Sequence, residues 1–388
     1  MKDLQITFLN KARKQNGFSL VELMVGMVIG LLATIVIMNV YGVFEKQKRQ
    51  TTGNSDAQTN GAIALYNLQR DIQTSGYGLP VYNSSVSPYN CPINTAIDHD
   101  QISTSASPDI GLSPIVITDG DGQNGSDTIS IRNGDSMKGG IPINMEAGTS
   151  TNVVQVDNNI GCTVGDVALV INQPSPGSRA LNCSMTRVNA QTNAGVTPVT
   201  VTLASTTNVA VGNSLACLGV WNEFKYTVNG NQLTRTGTLT AAGVPDVSAV
   251  PIVGDIVNVQ AQYGITDAPN FALPQPYSNK VTSWVDAKGP DWANTATTPT
   301  KENRNRIRAI RIAVVARNGL LENTNVSYQC SSLTTANPTG LCTWDGSVTG
   351  SAAPAIDLSA DPNWQRYRYR VYETVVPIRN IIWSRGAL

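Results

Sequence analysis

Hydrophobic and polar positions divide this chain into two textures. From Leu23 to Phe44 no residue is charged and most are aliphatic. Those 22 residues, at about 1.5 Å each, make a helix of about 33 Å, enough to cross a hydrocarbon core of about 30 Å. Further on, Ala57, Gly61, Ala64, Leu65, Leu68 and Ile72 recur at spacings near three and four, with Gln58, Gln69, Arg70 and Asp71 off that stripe. This period predicts that the helix continues as an amphipathic rod, its first half in a membrane and its second half packed on a folded body. Gly53-Asn54 marks a place where it could bend, and Gly76, Gly78 and Pro80 end it.

After residue 80 the period shortens to that of strands separated by turn residues. The runs read as strands are Ile115–Thr118, Asp127–Arg132, Asn152–Val156, Asp166–Ile171, Thr197–Leu203, Phe224–Val228, Gln232–Thr236, Asp255–Tyr263, Ile307–Ala316 and Tyr367–Val376. Asn229-Gly230 between two of them signals a two-residue hairpin. Strands this closely spaced, with almost no helix between, predict antiparallel sheet. Residues 264–304 are rich in Pro, Asn and Thr and read as an ordered insertion or a long loop.

Composition narrows the chemistry. The 388 residues could hold one large or two modest folded units. Charged residues are 14% of the chain, against about 25% in an average globular protein; Asn, Thr, Ser and Gly stand in their place. Lys plus Arg and Asp plus Glu are both 27, so no net field draws in nucleic acid or an anionic membrane surface. The single histidine, His99, lies between Asp98 and Asp100 and reads as a solvated turn. No nucleophile–base pair, phosphate loop or metal cluster is visible. The expectation is a protein that is not an enzyme and needs no cofactor.

Six cysteines, Cys91, Cys162, Cys183, Cys217, Cys330 and Cys342, are scattered without any C-x-x-C pair. An even, dispersed set with no histidine partner points to disulfides in an oxidising compartment. Cys330 and Cys342 flank a loop containing Pro338 and Gly340 and are expected to pair. The other four permit three connectivities, among which the sequence does not choose.

The junction before the apolar run carries the functional signal. Residues 1–17 are polar and basic, with Lys11, Arg13 and Lys14 just before Gly17, and Glu22 is the only charge from Phe18 to Phe44. A secretory signal would carry a shorter apolar stretch followed by a small-residue cleavage site, whereas EKQKRQ follows here. A plain signal anchor is one reading. Gly17-Phe18-Ser19-Leu20-Val21-Glu22, however, resembles the type IV prepilin cleavage motif. That resemblance implies cleavage between Gly17 and Phe18 by a prepilin peptidase, N-methylation of Phe18, and a role for Glu22 in pairing with the amino terminus of a neighbouring subunit. The bland reading of Glu22 is a tolerated charge near the membrane edge, and Gly26 and Gly30 would permit close helix packing or lend flexibility. Flanking charge barely orients the span, with the leader at +3 and residues 45–49 at +2. The cysteines orient it better, because all follow the span and call for an oxidising side.

The segments IRAIRIAVVARN (307–318) and RYRYRVYETVVPIRN (366–380), together with Leu68, Arg70 and SGYGLP (75–80), resemble the PilW family of minor pilins. That family is related to the J-type minor pseudopilins of type II secretion; GSDTISIR and VGDVALV are weaker echoes. The resemblance implies an α+β, type IV pilin-like fold: a long N-terminal helix, membrane-spanning in its first half, packed on a large antiparallel β domain. The implied organisation is a cleaved leader over 1–17, a helix over 18–75 with its span at 18–44, and a periplasmic or extracellular head over 76–388 with the insertion 264–304. The implied function is pilus assembly, in a priming or tip complex with other minor pilins and the major pilin, and with a tip adhesin where the pilus carries one. The chain would sit in the inner membrane, single-pass, and then in the surface pilus. A secretion pseudopilin or a pilus-borne subunit that binds DNA or surfaces are the alternatives, with no nucleic acid expected as a partner.

Two further constellations have plain readings beside sharper ones. Asp119, Asp121 and Asp127 space oxygen ligands like a calcium loop but lack an EF-hand's closing glutamate; a turn stabilised by its aspartates is the alternative. Arg366, Arg368 and Arg370 alternate with Tyr367, Tyr369 and Val371, so a strand there would line three guanidiniums on one face, for an anionic partner, a subunit contact or solvent.

Overall fold

A computed structural model of the chain describes residues 17–80, 91, 112–138, 140–148, 152–171, 183–192, 196–204, 212–237, 248–267, 279–294, 299–328, 343–344 and 356–380. His99, Cys330, Cys342 and the leader up to residue 16 lie outside them.

The first element is a single helix, α1, from Leu20 to Thr74. It contains no proline, and helical structure continues through Gly53-Asn54, since a glycine lowers helix propensity by only about 1 kcal/mol. The chain divides into two compact units, one ending at Gly53 and one beginning at Asn54. In the second unit the stripe is buried as the spacing predicts, with Ala57, Ala64, Leu68 and Ile72 in the core. Gly61 belongs there for a steric reason: a Cβ on it would stand 2.2 Å from the ring of Tyr372. Asp71, expected on the polar side, is buried instead. Its carboxylate accepts from the Tyr226 hydroxyl and from Arg70 Nε at 3.0 Å, with Arg235 Nη1 at 3.5 Å. Three donors compensate a burial that would otherwise be costly.

The helix ends where glycine allows the chain to reverse. Gly76 and Gly78 have φ of 74° and 78°, a left-handed conformation that side-chain-bearing residues rarely adopt. Gly76 N–H donates to the Arg132 carbonyl and Gly134 N–H to the Tyr77 carbonyl, so the helix exit is fastened to a neighbouring strand.

Among the described residues fifteen strands pair antiparallel, in three groups. The first sheet runs in the order β1 (Ile115–Thr118), β2 (Thr128–Gly134), β9 (Trp221–Asn229), β10 (Gln232–Gly237), β11 (Ala249–Gly254). Between β2 and β9 the chain forms a closed six-stranded barrel. Its strands are β3 (Ile143–Gly148), β4 (Val153–Val156), β7 (Thr200–Leu203), β6 (Cys183–Gln191), β5 (Val167–Ile171) and β8 (Ser214–Gly219), in that spatial order. The second sheet is β13 (Ser283–Asp286), β12 (Ile256–Ile265), β14 (Ile307–Arg317), β15 (Tyr369–Pro377).

Each of the ten predicted strands forms, with ends displaced by a few residues. The hairpin turn is one residue later than expected: Asn229 pairs with Gln232, and Gly230 and Asn231 form the loop with φ of 58° and 57°. Two positive φ values in a two-residue loop are the signature of the turn whose twist matches the strands. The span 264–304 is more than an insertion loop, because it holds the end of β12, β13 and two short helices, α2 (Gly289–Trp292) and α3 (Lys301–Arg304).

One core joins the helix stripe to both sheets and to one wall of the barrel. Alternation along β5 shows how: Val167, Leu169 and Ile171 face this core, while Ala168 and Val170 face the barrel interior. Two disulfides fix four of the six cysteines, Cys91–Cys183 and Cys162–Cys217. The first ties the segment after the helix to the barrel; the second lies within the barrel.

Candidate processing and assembly site

The junction residues form a defined local structure. Gly17, Phe18 and Ser19 precede the helix in non-helical chain, and Phe18 is 88% exposed. Nothing approaches the position of a Cβ on Gly17. Among the described residues nothing covers the Gly17–Phe18 peptide bond, just ahead of the first helical turn. Every residue from Gly17 to Arg49 is exposed, which puts an uncovered apolar helix immediately after that bond. An apolar surface of this extent calls for lipid or for other helices around it.

Glu22 has a local role that the sequence reading missed. Ser19 is the residue before the helix; its carbonyl accepts from Leu23 N–H at 3.1 Å and its hydroxyl from Val21 N–H at 3.4 Å. In return Glu22 Oε2 accepts from Ser19 N–H at 3.0 Å. This is a variant of the capping box, with the serine oxygen on the second helical N–H in place of the third, and its signal, a serine followed three residues later by glutamate ahead of an apolar run, is plain in the sequence. A carboxylate in the first turn also meets the positive end of the helix dipole. The same side chain thus starts the helix and holds a negative charge four residues from Phe18.

Asp121 and Asp127 of the 119–127 turn are held by protein partners. Asp121 Oδ2 lies 2.7 Å from Lys225 Nζ, and that hydrogen bond holds the carboxyl below its ordinary range. Asp127 accepts from Gly120 N–H at 3.0 Å and Ala261 N–H at 2.7 Å, and burial pushes it up to about 7. Among the described residues no three carboxylate, histidine or cysteine groups converge as metal ligands would. The arrangement is that of a turn locked onto β12, as Ser126 Oγ and Asn124 confirm by bonding to the Val259 and Val257 carbonyls.

The arginine row does not form. Arg366 ends a 3-10 turn and β15 begins only at Tyr369, so no single strand carries all three arginines. Arg366 Nε donates to the Glu322 carbonyl at 2.7 Å and Arg368 Nε to its carboxylate at 3.0 Å, while Arg370 is exposed. Alternation alone suggested a strand; Trp364, buried in a small cluster with Ile356 and Leu358, pulls the start of that segment into a turn instead.

Comparison with known families gives two matches. Residues 225–380, from within β9 through β15 and just beyond, match the family Type IV Pilus-assembly protein W (PilW). Residues 12–38 match the Prokaryotic N-terminal methylation motif, which covers the open junction, the capping box and most of the apolar run. No curated protein and no solved structure matches the chain. Both families belong to structural components of pili, which agrees with membrane anchoring through the apolar helix and incorporation into a pilus. Matched at its N-terminus by the methylation motif and over its C-terminal sheets by the pilus-assembly family, the chain carries the family signatures of a type IV pilus minor pilin.

Proposed function

We propose that the chain is made as an inner-membrane prepilin, cut between Gly17 and Phe18 by a prepilin peptidase, methylated at Phe18 and passed into the pilus as part of a priming or tip complex. The open Gly17–Phe18 bond beside the capped, lipid-seeking helix is the observation that carries this reading. The basic leader stays cytoplasmic and the body is periplasmic, where oxidising conditions support Cys91–Cys183 and Cys162–Cys217. Its partners are other minor pilins and the major pilin, and a tip adhesin where the pilus carries one.

In this account Glu22 works twice. Before cleavage it caps the helix through Ser19 N–H. After cleavage Phe18 gains an ammonium group, and in the apolar interior of a filament a carboxylate from the adjacent subunit is its natural counter-charge. An ion pair in low dielectric sets register between otherwise featureless helices. The test is deletion of the chain from a piliated cell, with complementation by the native sequence and by Glu22→Ala. The expected result is loss of surface pili, restoration by the native chain only, and unchanged protein secretion. Normal pili with a secretion defect would assign the chain to a secretion system instead.

A further inference from the structure

The outer edge of β15 is an open, ready-made strand template. Ile378 N–H donates to the Arg308 carbonyl and Asn318 N–H to the Arg368 carbonyl. With the register of Ala309 on Pro377 through Arg317 on Tyr369, these bonds fix the phase of the ladder. Arg370, Tyr372, Thr374 and Val376 turn their backbone groups to β14. Tyr369, Val371, Glu373 and Val375 turn theirs outward. Among the described residues no backbone hydrogen bond reaches those outward groups. Both ends of this stretch are closed. Upstream, Glu322 N–H and Val326 N–H donate to the Arg366 and Gln365 carbonyls, and Ser327 Oγ to the Tyr367 carbonyl. Downstream, Pro377 has no N–H to offer.

The other long edge is blunted. In β11, Pro251 interrupts the donors and the register against β10 slips between Leu233 and Thr234, both devices that discourage pairing. Over Tyr369–Val375 β15 has neither, and Val375 is 54% exposed. Thr343 and Trp344 bond the Glu373 side chain, and among the described residues none bonds its backbone at the edge.

We propose that this edge receives an extended segment of about seven residues from a different subunit of the same pilus, adding a fifth strand to the second sheet. Main-chain hydrogen bonds supply the affinity, and alternate side chains the specificity. One face of the incoming strand lies beside Tyr369, Val371, Glu373 and Val375, and the other beside Arg370, Tyr372, Thr374 and the buried Val376. The proposal rests on the minor-pilin reading and says how such a subunit is joined.

The experiment uses the full chain. Amide hydrogen exchange on the detergent-solubilised protein is expected to be fast at Val371, Glu373 and Val375 and slow at Tyr372 and Thr374; protection of the outward amides in the isolated chain, at any concentration, would overturn the proposal. In piliated cells, Val375→Pro removes one outward donor without touching the β14 ladder. It is expected to lower the amount recovered in sheared pili at least tenfold at unchanged membrane level, whereas Val375→Thr is not. A photo-crosslinking residue at position 375 of the otherwise native chain is expected to capture another pilus subunit. Native-like incorporation of Val375→Pro, or crosslinks only to a second copy of this chain, would contradict strand addition. Absence of the native chain from pili would instead remove the minor-pilin reading beneath it.

Discussion

At the scale of single residues, two positions carry consequences out of proportion to their size. Gly61 lets the helix lie against Tyr372, whose ring occupies the space of a Cβ. Replacing Gly61 by leucine forces the ring aside and should cost about 1–3 kcal/mol, as overpacking does; Gly61→Leu with Tyr372→Ala should recover part of that loss, because the two sites share one space. Thermal melting of the four proteins checks this, and additive losses would mean the residues do not meet. Asp127 is the second. Burial, with Asp119 and Asp286 nearby, raises its folded pKa to about 7 from an ordinary 3.8. The folded state then holds this proton more tightly than the unfolded chain, so the stability it contributes is present below about pH 4 and is lost as the pH rises towards 7. Melting temperature across that window should fall more steeply in the native chain than in Asp127→Asn; parallel curves would remove Asp127 as the cause. The sequence shows Gly61 within a stripe of small residues but hides its partner, 311 residues further along the chain. It reads Asp127 as a strand start, one residue ahead of where β2 begins, while its burial depends on β12, which pairs elsewhere.

At the scale of elements, legibility followed local pattern. The helix stripe and ten strands were readable because their residues repeat at 3.6 or 2, or form aliphatic runs. The five strands that were not readable have other reasons to be strands. Cys183–Gln191 and Ser214–Gly219 are polar or small-residue segments held by barrel closure on both sides, and Ala249–Gly254 contains Pro251. Tertiary pairing overrides weak propensity there. The disulfides were expected in kind but not in pairing, since their proximity arises from the barrel. They close separations of 92 and 55 residues, each worth about 4–5 kcal/mol in chain-entropy terms. Reduction should therefore lower the denaturant midpoint strongly, with Cys162→Ser/Cys217→Ser reproducing part of the effect; an unchanged midpoint would show that the bridges add nothing to the packed core.

At the scale of the whole molecule, the barrel is an insertion in topology but not in packing. Gly134 and Trp221, at its two ends, are register partners in the first sheet, so the entire barrel hangs from one hairpin. Yet Leu169, Ile171, Met185 and Leu218 from its wall belong to the principal core, and Cys183 bonds to Cys91. Excision of residues 136–219 should leave a head that limited proteolysis degrades, and a protease-resistant remainder would show the barrel to be a detachable module. The family match covers the C-terminal sheets and not this barrel, which explains why the two ends of the chain declared their kind and the middle was placed mainly by pattern.

The central claim is that Gly17–Phe18 is a processing site, and the mature N-terminus tests it most directly. Full-length chain with a C-terminal tag, expressed with and without a prepilin peptidase, should yield by mass spectrometry an N-methylated Phe18 only when the peptidase is present. An intact leader in both cases, or a cut at another bond, would contradict the account and leave a signal-anchored β-protein in its place.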